Sequence, residues 1–206
     1  MNNDLWFHGT SLYFTSWAIP SGPLKHKGDI AAHSAIFLTT DEEFARLSAD
    51  GGRGLCSAKI RPSSTLLDMT QASEDESESF RLKVAAKNFG KKNLHVQYQV
   101  YWEDAWKTGA IMKYAPPGHE AAEMQRKAVM ARDYRNTAQG VEAFNELQAL
   151  TRACIEELVE SARELGYDGV IGNEIDTLSI SGPRTYKILF VLNDQILTPP
   201  SWTEKP

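Results

Sequence analysis

Cysteine is scarce in this chain: only Cys56 and Cys154 occur among 206 residues, far apart and with no metal-ligating side chain beside either. Neither a disulfide framework nor a cysteine-based zinc site is therefore suggested, and a reducing compartment is the expectation. With no histidine near either thiol in sequence, a cysteine nucleophile is a poor bet. Long apolar runs are also missing. No stretch approaches the roughly 20 residues that a membrane-spanning helix needs. Met1-Asn2-Asn3-Asp4 lacks the basic-then-apolar pattern of a signal peptide. The expectation is a cytoplasmic protein with no membrane partner, with delivery into a target cell by a signal-less route left open. Positive charge is not in excess either: 22 Lys and Arg against 27 Asp and Glu leave a formal charge of −5. That removes the basic footprint on which sequence-reading DNA-binding modules depend, while a local basic patch for RNA stays compatible. His26, His33, His95 and His119 have no partners at ligand spacing, so no metal site is predicted.

What is present is ordinary globular composition, 42% hydrophobic and 24% charged, in a length that suits one domain over residues 1–206. Leu5-Trp6-Phe7 reads as a first strand that runs into His8-Gly9-Thr10-Ser11, so a polar motif stands at a strand end. Loop composition follows to Asp29 and carries Lys25, His26 and Lys27, which with Arg53 read as solvated surface charge ahead of cations that meet a ligand's phosphates. Ala35–Thr39 is a second strand, and Thr40-Asp41-Glu42-Glu43 starts a helix with a hydroxyl cap and first-turn acids. Leu55–Ile60 is a third strand, and Leu66-Leu67-Asp68 closes this half. Residues 73–150 read as a largely helical insertion, where Tyr98, Trp102 and Trp106 fall on one helical face and are best explained by packing. A helix through Ile155, Leu158, Val159, Ala162 and Leu165 ends at Gly166. Strands at Tyr167–Gly172 and Tyr186–Leu192 complete an α+β chain. Asp168-Gly169 is first a turn signal, its aspartate a loop stabiliser.

In this order, Phe7-His8-Gly9-Thr10-Ser11, Ile36-Phe37-Leu38-Thr39-Thr40-Asp41 with Phe44-Ala45, Leu165-Gly166-Tyr167-Asp168-Gly169-Val170-Ile171 and Val191-Leu192-Asn193-Asp194-Gln195-Ile196 resemble the ADP-ribosyltransferase superfamily of toxins, phage enzymes and poly-ADP-ribosylating enzymes. The resemblance covers about residues 5–70 and 155–197. It implies a split β-sheet core with NAD as substrate. His8 would bind a ribose hydroxyl, the Gly9 backbone would hold the carboxamide, Phe37 would stack on the nicotinamide ring, with a core aromatic as the equal reading of it, and Thr10 or Thr39 would position loop or ribose. The chemistry asks for such residues on its own grounds. Breaking the nicotinamide–ribose bond passes through an oxocarbenium-like state, which a catalyst must orient and stabilise against developing positive charge.

The family's glutamate has no counterpart at its usual place. The segment there is Arg184-Thr185-Tyr186-Lys187. Glu174 is the first substitute, in a loop that could fold back over the cleft, and a solvated loop acid is an equal reading of it. Basic residues in that place also occur in members that move a phosphate from RNA to NAD. The resemblance therefore implies a mono-ADP-ribosyltransferase-like toxin or phage-conflict enzyme with a protein or RNA acceptor, and an antitoxin or immunity protein as a further partner. NAD hydrolysis without an acceptor, or a catalytically silent NAD- or partner-binding module, are the alternatives.

Overall fold

The computed structural model describes residues 5–19, 34–47, 54–71, 80, 129–130, 133–134, 136–176 and 184–206. Strands β1 (Trp6–Thr10), β2 (Ile36–Thr39), β3 (Gly54–Ala58), β4 (Leu66–Asp68), β5 (Gly169–Asp176), β6 (Arg184–Val191) and β7 (Ser201–Glu204) form one sheet in the order β4-β5-β6-β2-β1-β3-β7. Every neighbouring pair is antiparallel except β4 and β5, which run parallel. A short helix α1 (Glu42–Leu47) follows β2, and a long helix α2 (Ala138–Glu164) precedes β5. The chain is thus α+β. The predicted aromatic face at Tyr98, Trp102 and Trp106, the cations Lys25, Lys27 and Arg53, and the histidines other than His8 lie outside the described residues.

Alternation along the strands builds a core on each face of the sheet. On one face Ile188 and Phe190 of β6, Val170 of β5 and Leu67 of β4 meet Val159 and Ala162 of α2, with Phe37, Phe44 and Tyr167 packed at the margin. On the other, Leu189 and Val191 of β6 join Trp6, Ile36, Leu38, Ala58 and Ile171, covered by Trp17, Ile196 and Leu197. The central strands are accordingly buried on both sides, which is why β6 reads as a near-continuous apolar run.

The helix ends follow from local chemistry. Asp41 caps α1, its Oδ1 accepting from the Phe44 amide at 2.8 Å, so a carboxylate does the work predicted for the Thr40 hydroxyl. Thr137 caps α2 by accepting from the Gly140 amide at 3.1 Å. At the other end Gly166 sits at φ 85°, with its amide bonded to the Arg163 carbonyl and that of Tyr167 to the Ala162 carbonyl, the double closure that stops a helix at a left-handed glycine. Helix α2 is continuous through residue 150, so the predicted end of the helical insertion falls inside a single helix. Beyond it, Asp168 ties three strand ends together. Its carboxylate accepts from the Thr65 amide at 2.9 Å and from Asn193 Nδ2 at 2.8 Å, and its carbonyl accepts from the Leu192 amide at 2.9 Å.

The strands differ from expectation in several places. The third strand ends at Ala58, leaving Ile60 in a lone bridge to Leu197. Strand β7 has no counterpart in the sequence reading: it follows Pro199-Pro200, is polar, and owes its place to pairing with β3.

Candidate functional site

The two halves of the sheet meet at one point. β1 pairs with β3 at five positions and β2 with β6 at four, but β1 and β2 share the single pair Phe7–Thr39. Continuing that register would oppose Gly9 to Phe37, and no such pair forms. Instead the His8 imidazole crosses the gap, its Nδ1 lying 2.8 Å from the Phe37 carbonyl oxygen. A carbonyl only accepts, so Nδ1 carries the proton, and in the neutral ring Nε2 is left as an acceptor. The glycine, threonine and hydroxyl residues that end β1 thus sit where the sheet divides.

The surroundings keep this ring neutral. Burial pushes the His8 imidazole below the ordinary histidine range, and the bond to Phe37 opposes that only in part. Trp17 lies edge-on at 5.7 Å between ring centroids and Phe14 at 6.2 Å. Those rings are fixed in turn: Trp17 Nε1 donates to the Thr198 carbonyl, and Trp202 Nε1 donates to the Phe14 carbonyl, both at 2.9 Å. The segment after β1, predicted only as loop, is therefore pinned against β7 and walls the histidine. Its signal in the sequence was the aromatic content of Tyr13-Phe14 and Trp17, unusual for a solvated turn. Cys56 lies opposite His8 on β3, its thiol buried and 3.7 Å from the His8 carbonyl, with burial raising its pKa to about 12. It stays a thiol at neutral pH and is no nucleophile.

The predicted residues do not all converge. Trp6, in the second core, alternates with His8 and Thr10 on β1, which puts His8 and Thr10 on the face away from α2. Phe37 is on the opposite face, its ring T-shaped against Phe190 at 4.6 Å, so it shares a hydrogen bond with His8 through its backbone but presents no ring surface beside it. Core packing won because Phe37 and Phe190 are directly paired across β2 and β6. Thr39 is 4% exposed and already engaged: its hydroxyl donates to the Lys187 carbonyl and accepts from the Asp41 amide. Thr10 Oγ1 accepts from the Leu12 amide and shapes the turn.

Glu174 differs from its expected place. It lies within β5, paired with Tyr186, because the strand continues four residues beyond Gly172. Tyr186 alternates with Ile188 and Phe190, so Glu174 and His8 are on opposite faces. There Tyr186 stacks on Phe44, with ring centroids 4.0 Å apart and planes 6° off parallel. On the face of His8, the place expected for the carboxylate holds Lys187, whose Nζ lies 5.9 Å from the Trp6 ring centroid.

Among the described residues no group of three or more His, Cys, Asp or Glu could hold a metal, and no helix is long and apolar enough to cross a membrane. Compared with protein-family models, curated proteins and solved structures, the chain matches none.

Proposed function

We propose that the division between β1 and β2 binds NAD, and that the chain is a mono-ADP-ribosyltransferase-like enzyme. It would cleave the nicotinamide–ribose bond and pass ADP-ribose to a macromolecular acceptor, protein or RNA. The observation that carries this reading is the His8 tautomer. A neutral imidazole held by Nδ1–H to the Phe37 carbonyl offers Nε2 as a fixed acceptor for a ribose hydroxyl. The Gly9 backbone, at the strand end where pairing to β2 stops, supplies amide and carbonyl for a carboxamide. The aromatic surface on that face comes from Trp17 and Phe14 rather than Phe37. In the reaction the C1′–N bond breaks and nicotinamide leaves with the bonding pair. The acceptor atom adds to C1′ and loses its proton to solvent. Positioning of this kind is the part of catalysis that a rigid, desolvated histidine provides.

A second reading has its own support. Lys187 rather than a carboxylate stands on the face of His8, and a cation does nothing to stabilise an oxocarbenium centre. That favours a module that binds NAD without cleaving it, with an immunity or partner protein as its further ligand. One experiment separates the two: nicotinamide release from NAD by the full chain, with and without cell lysate, alongside NAD binding by calorimetry. Release that disappears in His8→Ala supports the enzyme, and a need for lysate supports transfer over hydrolysis. Binding that needs His8 without release supports the module. Neither release nor binding refutes both.

A further inference from the structure

Trp6 has no solvent exposure, and among the described residues its indole Nε1–H has no acceptor. Nearly every buried donor in a folded protein is partnered, and an unmade bond of this kind is costly enough to be selected against. The position asks for an oxygen that the described residues do not supply. An independent feature says what sort of oxygen. Lys187 alternates with Leu189 on the same face as Trp6, its ammonium lies 5.9 Å from the Trp6 ring centroid, and among the described residues it has no ion pair. Asn173 stands directly opposite Lys187 in the β5–β6 register, so the two side chains leave the sheet on the same face. The group combines an indole N–H, an ammonium and an amide, which supply donors and positive charge with no carboxylate among them.

We propose that Trp6, Lys187 and Asn173 form a binding site for an oxyanion, a phosphate or carboxylate group. The half-buried Lys187 side chain is the movable wall, and the indole N–H is the fixed donor behind it. A cation is excluded by the ammonium. The proposal does not rest on the dinucleotide reading, because a simple anion is enough to test it.

The test uses the 15N-labelled full chain. The Trp6 indole resonance is the one of five that vanishes in Trp6→Phe. Inorganic phosphate and, separately, acetate are titrated in at constant ionic strength set with chloride. The expected result is a saturable shift of the Trp6 indole, with affinity at least about tenfold weaker in Lys187→Gln and reduced in Asn173→Ala, as loss of a charge-assisted bond implies. Response to phosphate alone, or to acetate as well, supports the site and names its oxyanion. An indole that does not move in the native chain, or that moves equally with chloride or in a folded Lys187→Gln, overturns the proposal and leaves a water as the partner. Should Lys187→Gln fail to fold, the comparison of phosphate with chloride on the native chain and in Asn173→Ala decides.

Discussion

His8→Asn tests whether the division of the sheet is closed by a neutral imidazole. Asparagine keeps an N–H donor close to where Nδ1 stands, so the bond to the Phe37 carbonyl can survive while the titrating group is removed. In the native chain burial holds the folded-state pKa of His8 below 6.5, and the Phe37 bond offsets this only partly. The unfolded chain therefore takes up its proton first as pH falls. Above the unfolded value both states are neutral and His8 contributes no pH dependence. Between 6.5 and the lower folded value the unfolded state binds more protons, and stability falls with a limiting slope of about 1.4 kcal/mol per pH unit. Below the folded value the slope returns to zero.

The native chain should accordingly lose stability relative to His8→Asn on acidification from pH 7.5 to 5, since the other four histidines titrate in both proteins and cancel in the difference. Urea unfolding at half-unit steps of pH gives the two curves, and proton NMR of the His8 Cε1–H gives the folded midpoint directly. A native chain that gains stability over His8→Asn as pH falls, or a midpoint above 6.5, refutes the buried neutral ring. The tautomer on which the functional reading depends would go with it.

Two glycines should fail for different reasons. At Gly54 a methyl group would lie 2.6 Å from the Thr10 carbonyl oxygen and 2.9 Å from Pro206, so Gly54→Ala must push β3 from β1 and should cost about 1–3 kcal/mol, read as a lower urea midpoint. At Gly166 the space is open and only φ of +85° is at stake, so Gly166→Ala should cost about 1 kcal/mol and Gly166→Asn less, whereas no residue rescues Gly54. Asp168→Ala removes the acceptor for the Thr65 amide and Asn193 Nδ2, both within reach of water, so a loss of about 1.5 kcal/mol and roughly 3–6 °C in thermal midpoint is expected, with Asp168→Asn in between. An Asp168→Ala melt that coincides with the native one removes that residue from the joints of the sheet.

Much of the sheet was legible because the strands carry their own signals. Leu5-Trp6-Phe7, Ile36–Thr39 and Tyr186–Leu192 are short runs rich in branched and aromatic residues, and the stops at Gly54, Gly166 and Asp168 have specific backbone reasons. Strand β7 was not legible, since Ser201-Trp202-Thr203-Glu204 follows two prolines and is held by β3 and by Trp202 against Phe14 and Tyr13, contacts made across most of the chain's length. Helix α2 had a clear stop at Gly166. Its start at Thr137 was hidden in a polar helical stretch where one threonine cap is a weak signal.

The site was harder to read because sequence order does not carry sheet faces across strands. Within one strand parity is legible: Trp6 and His8 share a face whatever happens elsewhere. Between strands it depends on register, and a shift of one residue moves every side chain to the other side. Phe37 faces Phe190 because those residues are directly paired, and Glu174 faces Tyr186 for the same reason, so both fall away from His8. A motif list naming His8, Phe37 and Glu174 holds no information on that register. Lys187 has the parity of Leu189 and Val191, the inward residues opposite Leu38 and Ile36, so once the Phe7–Thr39 pair is known Lys187 must share a face with Trp6 and His8. The charge on that face is set by β6, and any chemistry assigned to the division between β1 and β2 has to operate beside a lysine.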